Sequence, residues 1–105
     1  MLQWHKWETI RDFKVCRSKC GRYAVRRMHR VEGQKMTNAQ RHLMPFEAMT
    51  IGQDAGKRVL IAADPTRPTS TSEEGAKRIC ENAERERIAT LGVLEQVKPR
   101  TLFQQ

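Results

Sequence analysis

The chain lacks most of what would name a reaction. It has no run of about 18 apolar residues, so no transmembrane helix is expected. Its start, MLQWHKWE, has no apolar core of the kind a secretion signal needs, and the location is read as intracellular. Cysteine is scarce and odd in number, three in all, so a disulfide framework is not expected. There is no glycine-rich phosphate loop, no GxSxG and no HExxH. The stretch from Gly52 to Gly56 is too short and too acidic to cradle a phosphate. No carboxylate pair stands at a spacing suited to acid–base work. His5, His29 and His42 each sit among cations, which disfavour a charged imidazole rather than poise a base. These absences point away from an enzyme.

What is present is positive charge in one half. The 105 residues fit one small domain, 1–105, with 38% apolar and 30% charged residues, a soluble globular composition. The net charge is +8. Residues 1–58 hold thirteen Lys/Arg against five Asp/Glu, whereas residues 59–105 hold seven of each. Such a field attracts nucleic acid or an acidic protein surface. The plainer reading of the same charge is solubility.

The best-determined stretch is Thr71 to Leu91. Thr71 and Glu74 have capping-box spacing at a helix start. Ala76, Ile79, Cys80 and Ala83 follow at i, i+3, i+4 and i+7, with Leu91 extending the stripe. Arg87 interrupts it and marks where the helix frays or leaves the core. Glu73/Lys77, Glu74/Arg78 and Glu81/Arg85 are acid-before-base pairs on the other face. Gly92 is placed to end the helix. A stripe this narrow needs a sheet or a second helix beneath it.

Trp4, Trp7 and Ile10 read either as a helical spacing or as a poor strand, with both tryptophans as packing anchors. A short extended run to Val15 follows, and Cys16 to Gly21 reads as a turn. Arg22 to His29 is a strand candidate, with Tyr23 and Val25 on one side and Arg22, Ala24 and Arg26 on the other. A polar connection at about 30–41 is a loop or a short helix from Thr37 or Asn38, stopping before Pro45. Phe46 to Ile51 is a second strand, Gly52 to Gly56 a hairpin loop, and Lys57 to Ala63 the most apolar strand, expected at the centre. Asp64 to Ser70 is a rigid linker. After Gly92, VLEQV is a strand or a final turn, and about 99–105 a frayed tail. The expected fold is α+β: an antiparallel sheet of three to four strands with one C-terminal helix packed across it.

Trp7, then Gly21-Arg22-Tyr23-Ala24-Val25-Arg26, a hairpin, and Ala76-Lys77-Arg78-Ile79-Cys80-Glu81 together resemble a group of small phage and prophage accessory proteins. Those carry a G-x-Y-x-[IV]-R strand, a meander and a helix with A-K-x-x-C-E. The resemblance touches about half of the chain. It implies a mobile-element protein that binds and blocks host machinery, as anti-CRISPR proteins do. The chain departs from the pattern in its long insertion between the first and second strands and in its basic charge.

His5, Cys16, Cys20 and His29 are, by type, a tetrahedral zinc set. The WHKW…C…CG stretch resembles the start of small phage zinc-binding proteins. Those carry C-x-x-C and a further cysteine upstream, whereas here the spacing is C-x-x-x-C and Leu2 occupies the upstream region. The other reading makes Cys16 and Cys20 free thiols and Cys80 a small buried hydrophobe. No stoichiometric zinc and no other cofactor is expected.

The functional expectation rests on a basic face made of Arg17, Lys19, Arg22, Arg26, Arg27, Arg30, Lys57 and Arg58. Arginine offers paired contacts to phosphate or carboxylate. The chain is expected to be a non-enzymatic interaction protein. Its partner is the acidic surface of a nucleic-acid-processing complex, or nucleic acid itself, with no membrane. The rival expectation is an RNA-binding subunit of a ribonucleoprotein, such as a ribosome-associated protein, with its polar connection and tail lying on RNA.

Overall fold

The computed structural model describes residues 1–103, with side chains through residue 92. The main sheet is antiparallel, in the order β1-β2-β3-β6-β7. Its strands are β1 (Glu8–Ile10), β2 (Phe13–Arg17), β3 (Tyr23–Met28), β6 (Phe46–Asp54) and β7 (Lys57–Ala62). A short β8 (Thr69–Ser70) pairs with the start of β6. Between β3 and β6 stand a small hairpin, β4 (Arg30–Val31) with β5 (Gln34–Lys35), and the helix α1 (Asn38–Leu43). The long helix α2 (Glu73–Phe103) closes the chain. The expected α+β class and the C-terminal helix across the sheet are both present; the sheet has more strands than expected.

One extra strand, β8, comes from the Asp64–Ser70 stretch expected as a rigid linker, and the others come from the beginning of the chain. Ile10 pairs with Phe13, so Arg11 and Asp12 make a tight turn with no glycine. Arg11 takes a left-handed φ of 55°. Distant groups hold this turn: the Asp12 carbonyl accepts from the His29 and Arg30 N–H groups, and its carboxylate from the Gly33 N–H at 3.1 Å. The expected Cys16–Gly21 turn is shorter. Cys16 and Arg17 belong to β2, and the reversal is Ser18 to Gly21, with Gly21 at φ 78°. Trp4 bridges Ser18 as a strand residue would.

The most apolar strand is not central. β6 occupies the middle, with β3 on one side and β7 and β8 sharing the other. The reason is the connection. Strands pair from Asp54 to Lys57, so only Ala55 and Gly56 turn the chain, at φ 50° and 80°. Two left-handed residues make a type I′ hairpin, which forces β7 to lie beside β6. Gly52 is a strand residue rather than part of the loop; a Cβ there would meet Ile61 at 3.0 Å. The polar connection also has more structure than a loop. Glu32 and Gly33 turn the small hairpin, and Thr37 caps α1 in a capping box with Gln40.

α2 starts one residue later than its spacing suggests. Its cap is Ser72, whose hydroxyl accepts from the Gly75 N–H at 3.0 Å and whose carbonyl accepts from Ala76 at 3.1 Å. Position N3 is therefore Gly75, and the Thr71–Glu74 box is not made. The buried stripe is Ala76, Cys80 and Glu84, at i, i+4 and i+8. Small side chains let the helix approach β3 and β6 closely, and the core joins Tyr23, Val25, Ala48, Ala76 and Cys80. Trp4, Trp7, Phe46, Ile79 and Ala83 ring that cluster. Ile79 is thus on the flank, near Ala63 rather than over the length of β7. Gly92 does not end the helix, which runs on through it. Ile88 and Leu91 are 57% and 43% exposed, so α2 has left the sheet by then, as Arg87 foretold. The expected tail at about 99–105 begins inside α2, and its last two residues lie outside the described residues.

Gly75 is the tightest point of this packing, since a Cβ there would lie 2.0 Å from the Ser70 hydroxyl oxygen. Alanine is the better helix former by about 1 kcal/mol. We nevertheless expect Gly75→Ala to destabilise the fold by about 1–3 kcal/mol, as overpacking does. Urea unfolding of the two proteins checks it; a more stable alanine variant would show that β8 does not pack on the helix start.

Candidate functional site

The eight expected cations do not form one face. β3 begins at Tyr23, and the left-handed Gly21 takes Arg22 out of the strand alternation. Arg22 turns to the helix side, where its Nε donates to Glu84 at 3.1 Å. Arg26 stays on the side away from the helix. It donates to Glu47 at 2.5 Å, with its guanidinium 4.5 Å from the centre of the Phe13 ring. Arg22 and Arg26 therefore do not project together. Arg27 ties β3 to the end of α1, donating to the carbonyls of Met44 (3.1 Å) and Arg41, while it lies over Phe46. Arg30 stands at the far end of the sheet, where its main-chain N–H meets Asp12.

The remaining four gather at the other end. Arg17 and Lys19, from the end of β2 and its turn, meet Arg58 of β7 around an open bowl of about 840 Å³. His5 and Lys6 line the same bowl, with Ile51, Gly52 and Gln53 of β6. Lys57 is the next residue along β7 from Arg58. Among the described residues Glu8 is the only acid in the lining, and it pairs with Arg17 at 2.6 Å. Lys6 was not among the expected residues. Its signal was its place in the basic WHKW stretch, but only the Trp4–Ser18 bridge brings that stretch to the β2–β3 turn. Among the described residues, Lys6, Lys19, Lys57 and Arg58 make no ion pair.

A second hollow adjoins the bowl. It is a groove of about 220 Å³ on the open face of the sheet, floored by Ile10, Phe13, Val15, Ala24, Ile51 and Leu60. Arg17, Ile51 and Arg58 line both hollows, so a basic surface passes directly into an apolar one.

The zinc candidates do not fit a metal. Cys16 is buried on the helix side, its thiol donating to the His5 carbonyl at 3.2 Å. Cys20 is exposed on the turn beside Ser18. His29 lies at the opposite end, with a ring nitrogen 3.3 Å from the Arg11 carbonyl oxygen. Among the described residues no three His, Cys, Asp or Glu side chains come together. Burial pushes the Cys16 thiol up, against a smaller opposing pull from Lys77. Burial also pushes Cys80 up to about 12. Both thiols are therefore less acidic than an exposed cysteine.

Glu84 is a buried, paired carboxylate with a structural role. Glu84 is 8% exposed and accepts from Arg22 and, at 2.5 Å, from Arg87. Burial acts to raise its pKa, but the hydrogen bonds from Arg87 and Arg22 outweigh burial and hold it below the ordinary glutamate value. Tyr23, beneath this cluster, is raised, first by burial and then by the Glu84 charge. Cluster and core are thus one unit, with Glu84 charged and Tyr23 neutral.

No family model matches this chain, and comparison with curated proteins and with solved structures found no match. Among the described residues no helix is long and apolar enough to cross a membrane.

A carboxylate with a depressed folded pKa contributes stability that is present above its unfolded pKa and lost as pH falls through the folded one. We expect the wild type to lose stability as pH drops below the ordinary glutamate value of 4.5. Glu84→Gln should cost about 1.5–3 kcal/mol at neutral pH, the worth of a charge-assisted hydrogen bond, and flatten the acid limb. Melting temperatures from pH 7 to 3 check both; an unchanged acid limb in the variant would place the acid sensitivity elsewhere.

Proposed function

We propose that this chain is a non-enzymatic interaction protein that binds an acidic protein surface through the bowl formed by Lys6, Arg17, Lys19 and Arg58. The observation that carries this reading is the junction of the two hollows, where the basic bowl opens into the apolar groove. A phosphate backbone offers charge and nothing for Phe13, Ile51 and Leu60 to touch. A protein epitope offers both, since interface cores mix apolar anchors with arginine and keep a polar rim. Arg22, Arg26, Arg27 and Glu84 are taken up in internal contacts, so the reading rests on the bowl and not on these residues. The partner we infer is part of a nucleic-acid-processing complex, and the role is that of a mobile-element accessory or inhibitor of the anti-CRISPR kind. That form rests on the resemblance of the Gly21–Arg26 strand and the Ala76–Glu81 helix.

The ribonucleoprotein reading has less support. It needs extended arms, and the 30–41 segment is instead a hairpin followed by a capped helix. Nucleic acid as the direct ligand is separated by the same experiment. Tagged protein is used to capture partners from host lysate, with and without nuclease, beside a Lys19→Glu/Arg58→Glu variant. Both residues are exposed and make no ion pair among the described residues, so the variant should melt within a few degrees of wild type. Capture that resists nuclease and falls at least tenfold in the variant is expected. Retained capture by the folded variant would remove the bowl from the interface, and nuclease-sensitive capture would favour RNA or DNA.

A further inference from the structure

β7 leaves one long edge of the sheet without a neighbour. Its only strand partner among the described residues is β6. Edge strands are commonly kept from self-pairing by being short, bulged or charged along their length. β7 has six residues, pairs with β6 in continuous register, and carries its cations only at its start. Its second half is apolar and exposed on both sides. Leu60 is 38% exposed on the open face, and Ile61 is 55% exposed on the helix side, beyond the reach of α2.

The direction of its main-chain groups follows from one bond. The Ala63 N–H donates to the Ala48 carbonyl at 3.0 Å. The register continues this phase along the hairpin. In an antiparallel pair alternate residues bond to one neighbour. Val59 and Ile61 therefore turn their N–H and C=O groups to β6, while Arg58, Leu60 and Ala62 turn theirs outward.

We propose that β7 joins a second copy of this chain, antiparallel, about a two-fold axis at Leu60. The outward phase admits few symmetric registers. Centred on Arg58, the strand would set that arginine against its own copy, a destabilising like-charge pair. Centred on Val59, it would leave the two arginines diagonal neighbours. Centred on Leu60, leucine meets leucine, Val59 meets Ile61, and Arg58 meets Ala62. Lys57 then lies against Ala63, next to Asp64. The basic start of each strand thus rests on the apolar, acid-ended finish of the other. The axis runs through the sheet, so both helices lie on one side and both open faces on the other, a closed two-fold assembly. The pairing does not rest on the proposed function, but it shares Leu60 and Arg58 with the groove and bowl, so self-association is measured on the chain alone with no partner present.

Sedimentation equilibrium of the full chain tests it, and a dimer is expected. Leu60→Lys should weaken association at least tenfold while the circular dichroism spectrum stays that of the folded chain. A second pair of variants keeps the register testable, both with the exposed Cys20→Ser change. Residues facing each other in a hydrogen-bonded pair have Cα atoms about 5.5 Å apart, within disulfide range. Leu60→Cys should therefore cross-link on oxidation, and Lys57→Cys should not. A wild type that stays monomeric at the highest soluble concentration would overturn the proposal. So would a dimer indifferent to Leu60→Lys, or one that cross-links at position 57 and not at 60.

Discussion

The structure depends on how closely α2 sits on the middle of the sheet. Cys80 is fully buried, with its sulfur 3.9 Å from the Ala24 carbonyl oxygen and 4.0 Å from that of Met49. The thiol thus rests on β3 and β6 at once. Ala76, one turn earlier, is also fully buried. Larger residues at either position would lift the helix off both strands. The other long-range contacts take their places from this approach. Trp7 reaches Glu73 with its indole N–H at 2.9 Å, which fastens the chain's beginning to the helix start. Gly75 leaves room for Ser70, and so for β8 beside β6. Glu84, a turn beyond Cys80, collects Arg22 and Arg87 over Tyr23.

That docking also sorts the charge. A net charge of +8 suggests one broad positive face, but half of the cations expected on it are held away from a common surface. Arg22 balances Glu84, the one carboxylate the helix buries among the described residues. Arg26 and Arg27 lie over Phe13 and Phe46 and bond within the sheet and to α1. Ion pairs of this kind are structural, because removing one partner strands the other in a partly dry site. The cations that do converge are Lys6, Arg17, Lys19 and Arg58, at one end of the sheet. The surface proposed to bind a partner is therefore smaller, more local and less arginine-rich than the sequence count implies.

The helix and its partner sheet were legible because their signals are periodic. The Ala76–Cys80 spacing and the alternation at Tyr23 and Val25 each fix a buried side without reference to the rest of the chain. The first hairpin was hidden because Arg11 and Asp12 carry no turn signature, and bonds from His29, Arg30 and Gly33 hold them. The edge position of β7 was hidden by its composition: apolarity predicts burial, but a two-residue hairpin dictates neighbours. Of the eight cations expected on one face, Arg17, Lys19 and Arg58 line a common hollow. Lys6 was missed and Arg22 misplaced, since the Trp4–Ser18 bridge and the left-handed Gly21 decide where each one points.

The docking of α2 is tested most directly by the reactivity of the cysteines in the native protein. Cys20 is exposed and should label with a thiol reagent at once, whereas Cys80 has no exposed surface. With α2 seated on β3 and β6, Cys80 reacts only when the whole domain unfolds. Its protection should then equal the unfolding free energy from urea titration, and fall in step with destabilising variants. Labelling of Cys80 at a rate close to that of Cys20 would contradict the account, because a helix that lifts freely cannot hold Glu73, Ser70 and Arg22 where they are.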